Sequence, residues 1–252
     1  TVTVGDFSFS QLLGGITNEI SNGYAFEPYL VDGIIGVAYR DCSLIKSPTM
    51  IDNLVNQNGM NDLFSICALR EGGSLSLGEI PDFVPPSSIQ YTPIIEEYYY
   101  TVYITDIMVN AKSLGVSQYY FNHGRAVVDT GTTDLLLPDV AYSALSDAVR
   151  DMCSFEDLVG TCGQTLGQGL FEGYCIAMTE EQVQQYPIIS IVLNGGIVLD
   201  ISPDDWIVTG YCEDPSLYAI AIDPVPYSAG TLLGDTVLRN RITVFDRKNQ
   251  KI

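Results

Sequence analysis

The stretch that most constrains what this chain can fold into is Val127-Val128-Asp129-Thr130-Gly131-Thr132-Thr133. Two β-branched apolar residues predict the end of a buried strand, and they deliver an acid where that strand stops. Gly131 allows a tight turn with close backbone approach. Thr130, Thr132 and Thr133 surround the acid with hydroxyl and amide donors able to hold a carboxylate in one pose. A solvated loop aspartate needs no such fence. Asp129 therefore reads as an acid held in one pose, with Thr130, Gly131 and Thr132 as the candidate support of its loop.

Two other stretches share a pattern, Ile34-Ile35-Gly36 and Leu232-Leu233-Gly234. A strand of this kind can cross behind an acidic loop and lock it. It can equally be an ordinary core strand in which glycine marks a close backbone approach, and the pattern alone leaves both readings open. If the halves repeat at one spacing, the acidic loop matching Ile34-Ile35-Gly36 falls upstream of Thr1, so the chain reads as a half and a remainder.

Composition narrows the class. With 46% hydrophobic and 17% charged residues over 252 positions, this is a folding chain of one large or two small domains. Lys and Arg number 11 against 31 acids, a net charge of -20 that repels nucleic acid and anionic membrane. Such charge suits work at low pH, where protonation relieves self-repulsion, although acidity also fits a protein that is simply soluble. Six cysteines predict three disulfides and an oxidising compartment. His123 is the sole histidine and no C-x-x-C occurs, so a zinc centre has poor ligand support. In Asn122-His123-Gly124 it reads as a loop residue. No run approaches ~18 apolar residues, the length of a membrane span.

Along the chain, residues 1–9 alternate as a strand, 24–30 are aromatic-rich, and 34–39 form a buried apolar strand. Thr49 with Asp52 at N3 caps a helix over 49–56. Strands follow at 63–69 and 74–77 around Gly72-Gly73, and Pro81, Pro85 and Pro86 mark a connector holding the domain boundary. Residues 98–109 alternate with a slip near Asp106. Pro138 opens the best helix at its first position, with Ala141, Leu145 and Met152 at helical spacing. Beyond a loop-like 153–173 come a strand at 174–177, a hairpin across Asn194-Gly195, a helical turn at 202–205, strands at 217–222 and 242–245, and a short helix at 236–238.

Taken in order, these segments resemble the pepsin-like aspartic proteases. Val128-Asp129-Thr130-Gly131-Thr132-Thr133 resembles that family's second catalytic loop, and Asp32-Gly33-Ile34-Ile35-Gly36-Val37-Ala38-Tyr39 its first-lobe segment. Leu233-Gly234-Asp235-Thr236-Val237-Leu238-Arg239-Asn240 and Thr243-Val244-Phe245-Asp246-Arg247 resemble the closing segments, and Gly72-Gly73-Ser74-Leu75 and Tyr91-Thr92-Pro93-Ile94 the connecting strands. The resemblance implies an all-β, bilobal acid-protease fold, with residues 1–90 as the end of the N-terminal lobe and interlobe sheet, and 91–252 as the C-terminal lobe. It implies peptide-bond hydrolysis by water activated between two aspartates, one of them Asp129, in a secreted or lysosomal/vacuolar zymogen-derived enzyme. Leu232, Leu233 and Gly234 would support the loop, and Thr133 would contact substrate backbone. Cys175 would pair with Cys212, Cys153 with Cys162, and Cys42 with Cys67. No metal or organic cofactor is implied. The implied partner is an N-terminal segment or light chain of about 100 residues, the size of a small domain, and a membrane anchor beyond Ile252 stays open. The competing readings are an inactive relative that binds peptides or proteins, an unrelated extracellular β-domain, and a glycosidase using two acids.

Overall fold

The computed structural model describes residues 1–15, 32–165 and 167–252. The aromatic-rich segment at 24–30 lies outside the described residues. At the N-terminus, the expected single strand is a hairpin of β1 (Val2–Val4) and β2 (Phe7–Phe9), broken where Gly5 takes a positive φ. Helix α1 (Met50–Asn58) starts at Thr49, whose hydroxyl accepts the Asp52 N–H while the Asp52 carboxylate accepts the Thr49 N–H. Then come β3 (Leu63–Leu69), β4 (Gly72–Leu77), β5 (Glu96–Glu97), β6 (Tyr100–Val102), β7 (Ile104–Val109), β8 (Lys112–Ser113) and α2 (Gln118–Asn122). The middle of the chain gives β9 (Ala126–Val128), β10 (Leu135–Pro138), α3 (Asp139–Asp151), α4 (Glu180–Val183), β11 (Ile189–Leu193) and β12 (Ile197–Ile201). Last are α5 (Pro203–Trp206), β13 (Ile207–Thr209), β14 (Tyr218–Ile220), β15 (Ile222–Val225), β16 (Thr231–Leu233), α6 (Asp235–Leu238) and β17 (Arg241–Asp246).

The expectation of an all-β fold is overturned by these helices. The longest, α3, runs 13 residues and continues into a 3-10 turn over Met152–Ser154. The all-β class came with the family resemblance, whereas the sequence already spaces Ala141, Leu145 and Val149 as one helix face, and all three are fully buried. Pro138 ends β10 and caps α3 instead of opening it.

A six-stranded sheet in the order β15-β10-β16-β9-β6-β5 carries the Asp129 loop. A four-stranded sheet, β12-β11-β7-β8, contains the Asn194-Gly195 hairpin, and its register shifts opposite Thr105, close to the expected slip. Between residues 174 and 177 there is an isolated bridge, Ile176 to Tyr218, in place of the expected strand. A three-stranded sheet, β17-β3-β4, joins residues 63–77 to the C-terminal strand. Phe64 and Phe245 stack there at 4.5 Å, with the Tyr100 ring edge-on to both. Among the described residues, no helix is long and apolar enough to cross a membrane.

Cys153–Cys162 and Cys175–Cys212 are disulfides. Cys42 and Cys67, expected as a third pair, are free thiols. They face different cavities. Cys67 shares one with Val128, Leu233, Ile242 and Ile252, and Cys42 shares another with Phe9, Gly36 and Tyr39.

A further correction concerns residues 34–39. They form no strand, Ile34 and Ile35 are 82% and 59% exposed, and among the described residues no strand pairs with them. A buried strand needs hydrogen-bonding neighbours on its edges, and the described residues supply none here.

Candidate active site

Asp129 follows β9, and β16 lies parallel to β9 with Leu232 opposite Val127 and Leu233 opposite Val128. On its other edge β16 runs antiparallel to β10, pairing Leu233 with Leu135 and Leu232 with Leu136. Leu232-Leu233-Gly234 thus passes between the strand that enters the loop and the strand that leaves it. The Asp129 N–H donates to the Leu233 carbonyl at 3.1 Å. Beyond the glycine, the Asp235 N–H donates to the Thr132 carbonyl at 2.9 Å and the Thr236 N–H to the Thr133 carbonyl at 3.0 Å. A Cβ on Gly234 would stand 2.3 Å from the Asp134 carbonyl oxygen and 2.5 Å from that of Thr132. Only glycine lets the two backbones come this close.

Inside the loop the half-buried Asp129 carboxylate is held at both oxygens. Oδ1 accepts the Gly131 N–H at 2.9 Å and Oδ2 accepts the Thr132 hydroxyl at 2.7 Å. Both bonds end on an anion, the stronger kind, and they leave the outward lone pairs free for a reactant. Thr130 and Thr133 are exposed, so their side chains face outward from the loop. The candidate residues Asp129, Thr130, Gly131, Thr132, Thr133, Leu232, Leu233 and Gly234 therefore come together in one structural unit.

A cavity of about 690 Å³ opens on this loop, lined by Asp129, Thr130, Gly131, Leu232, Tyr99 and Arg125. Ile34, Ile35 and Gly36 line it as well. At the rim, Arg125 makes a two-pronged ion pair with Glu96, at 2.5 Å and 2.9 Å, and its guanidinium lies over the Tyr98 ring. The hydrogen bond from Arg125 holds the Glu96 carboxyl below its ordinary range. His123 stays away from the loop, with its ring between those of Tyr119 and Tyr227 at 4.7 Å and 5.3 Å.

Two contributors escape a reading of sequence pattern. Thr236 ties the Thr133 carbonyl to the Ala221 carbonyl through its amide and hydroxyl. Its place two residues after the locking glycine is its only signal. Arg125 sits at φ +77, a conformation rare for residues with a Cβ, and nothing in the sequence announces it.

Comparison with known proteins agrees with this geometry. The model of the family described as "Asp: Eukaryotic aspartyl protease" matches residues 1–252. A beta-secretase of Strongylocentrotus purpuratus is 23% identical, covering 99% of this chain and 51% of that protein. Pepsin-2B of Gadus morhua is 28% identical, covering 100% of this chain and 71% of that protein, and gastricsin of Macaca fuscata fuscata is 24% identical, covering 96% and 60%. The chain spans about half to seven-tenths of the length of these relatives. An aspartate fenced at both oxygens, locked by an apolar strand that ends in glycine and matched along the whole sequence, makes this chain a member of the eukaryotic aspartyl protease family.

Proposed function

We propose that this chain is part of an aspartic endopeptidase in which Asp129 supplies one of two catalytic carboxylates. The second would come from a segment outside these 252 residues, seated against Ile34-Ile35-Gly36 in the cavity that Asp129 lines. On this reading residues 1–90 complete one lobe and the sheet between lobes, and residues 91–252 form the other. The observation that carries the proposal is the Asp129 carboxylate, fixed by Gly131 and Thr132 in a cavity also lined by the apolar segment Ile34-Ile35-Gly36, which has no strand partner among the described residues.

The chemistry follows from two carboxyl groups sharing one proton. Like charges in contact resist double ionisation, so one acid stays protonated while the other is charged. The charged member takes a proton from water as it attacks the peptide carbonyl, and the protonated member hydrogen-bonds the carbonyl oxygen. The resulting gem-diol collapses with transfer of a proton to the leaving amine. Thr133, exposed beside the loop, would hold the substrate backbone, an extended peptide. The acidic surface and the disulfides support a secreted or lysosomal/vacuolar setting.

Among the described residues lining the cavity, Asp129 is the only acid. This favours a second reading for the chain by itself, a module that binds peptides without cutting them. The full-length protein separates the two. With an acidic-pH peptide assay, Asp129→Asn should lower kcat by more than about a thousandfold while leaving peptide binding measurable. Retained cleavage by that variant rejects the mechanism, and binding without cleavage by the unaltered full-length protein selects the binding module.

A further inference from the structure

Apart from the bonds to its carboxylate, the Asp129 loop is held by a side-chain tether at its exit. Asp134 is the residue at which the loop becomes β10. Its Oδ1 accepts the Tyr211 hydroxyl at 2.5 Å, the short distance of a hydrogen bond onto a carboxylate. Tyr211 does not belong to the sheet that carries the loop. It lies in the connection between β13 and β14, and its neighbour Cys212 is joined to Cys175 by a disulfide. That connection is closed at its base by the pairing of Thr209 with Tyr218. Tyr218 in turn exchanges two backbone bonds of 2.9 Å with Ile176, next to Cys175. The phenol is thus carried on a loop fixed covalently and by hydrogen bonds.

The surroundings fit a deliberate contact. Although Tyr211 is 45% exposed, desolvation of its hydroxyl and then the bond and charge of Asp134 push that hydroxyl above the ordinary phenol range, in keeping with its role as donor. Asp223, on the neighbouring strand β15, faces the same carboxyl and is itself pushed upward by burial and by Asp134.

We propose that Tyr211 is a positioning residue that, through Asp134, ties the exit of the Asp129 loop to the Cys175–Cys212 disulfide and sets where Thr133 stands in the cleft. The loop's entry is fixed by the β9–β16 ladder, and the Asp129 carboxylate by Gly131 and Thr132. The Thr132 and Thr133 carbonyls are held from one side by Asp235 and Thr236. On that side the locking residue is Gly234, which has no side chain to press on Asp134. One residue on, the Leu135 N–H donates to the Ala221 carbonyl at 3.1 Å, and the bond from Tyr211 adds a hold on the Asp134 side chain from a separate element. Its loss should disturb Thr133 and spare the carboxylate.

The test uses the full-length protein carrying Tyr211→Phe, Asp134→Ala or Asp134→Asn, read by amide hydrogen exchange and by steady-state cleavage of a peptide. Tyr211→Phe and Asp134→Ala should speed exchange across residues 130–136 by about three- to tenfold, the range one net hydrogen bond carries. Exchange in the β11–β12 hairpin should stay as it was. Asp134→Asn keeps an acceptor for the phenol and should restore slow exchange. The kinetic arm rests on the protease reading. KM should rise about three- to tenfold with kcat within about twofold, because the bonds to Asp129 are untouched. Unchanged exchange at 130–136 in Tyr211→Phe, or Asp134→Asn exchanging as fast as Asp134→Ala, overturns the tether. A fall in kcat at constant KM overturns its action on Thr133. Altered exchange in a protein that cleaves no peptide in any form leaves the tether standing and rejects the protease reading instead.

Discussion

Leu232-Leu233-Gly234 and Ile34-Ile35-Gly36 are the same pattern in opposite circumstances. The first lies between two strands, Leu233 is fully buried, and a Cβ on its glycine would strike two backbone carbonyls. The second has no strand partner among the described residues, its isoleucines are mostly exposed, and a Cβ on Gly36 would meet nothing within 4 Å. Two apolar residues and a glycine describe a strand that fits behind an acidic loop. They do not make that strand, because its energy comes from ladder bonds and burial supplied by other segments.

The largest test of this contrast is the glycine. Gly234→Ala must move backbone, and should destabilise by about 4 kcal/mol or more, whereas Gly36→Ala in this chain should fall within ~0.5 kcal/mol of wild type by urea unfolding. The comparison sharpens in the full-length protein. If a second acidic loop covers Ile34-Ile35-Gly36, Gly36→Ala there should cost nearly as much as Gly234→Ala, and a silent Gly36→Ala would count against the proposed seat.

Truncating the apolar residue comes next. Leu233→Ala should cost about 3 kcal/mol, and Ile35→Ala well under ~1 kcal/mol, in the same measurement. Thr132→Val, which removes a donor to Asp129 but keeps the side-chain shape, should cost about 1 kcal/mol.

The smallest effect concerns the contact that ties the exposed side to the C-terminal sheet. Arg247 donates to Asp52 of α1 at 2.6 Å and its guanidinium lies over the Tyr39 ring. Burial works against ionisation of Asp52, but the bonds from Arg247 and Thr49 outweigh it and hold the carboxyl below its ordinary 3.8. A carboxyl lowered in the folded state stabilises fully above its unfolded value, and that contribution is lost as pH falls through the folded value. Asp62, raised by burial against the pull of Arg247, contributes in the opposite sense. Between about pH 5 and pH 2.5, Asp52→Asn should therefore lose about 2 °C less melting temperature than wild type. An equal loss in both would detach Asp52 from acid sensitivity.

Local features were legible in the sequence wherever neighbours along the chain decide them. Thr49 and Asp52 cap α1 because the reciprocal bonds span one turn, and Asn194-Gly195 turns a hairpin because glycine tolerates the positive φ found there. The Asp129 loop was legible for the same reason, since Gly131 and Thr132 reach the carboxylate from two and three residues away. The family resemblance also supplied the two disulfides that form. The all-β class implied by the family resemblance failed at α3, although the helical period of Ala141, Leu145 and Met152 already announced that helix.

The sequence by itself determined which acid is fenced, by which neighbours, and which glycine could lock it. Only the tertiary structure decided that Leu232-Leu233 threads between β9 and β10 while Ile34-Ile35 stands open, that Cys42 and Cys67 face different cavities, and that Tyr211 reaches Asp134. The physical reason is range. Turns and caps are settled by bonds a few residues long, whereas strand partners and tethers join segments far apart in the chain, and their pairing depends on how the whole core closes.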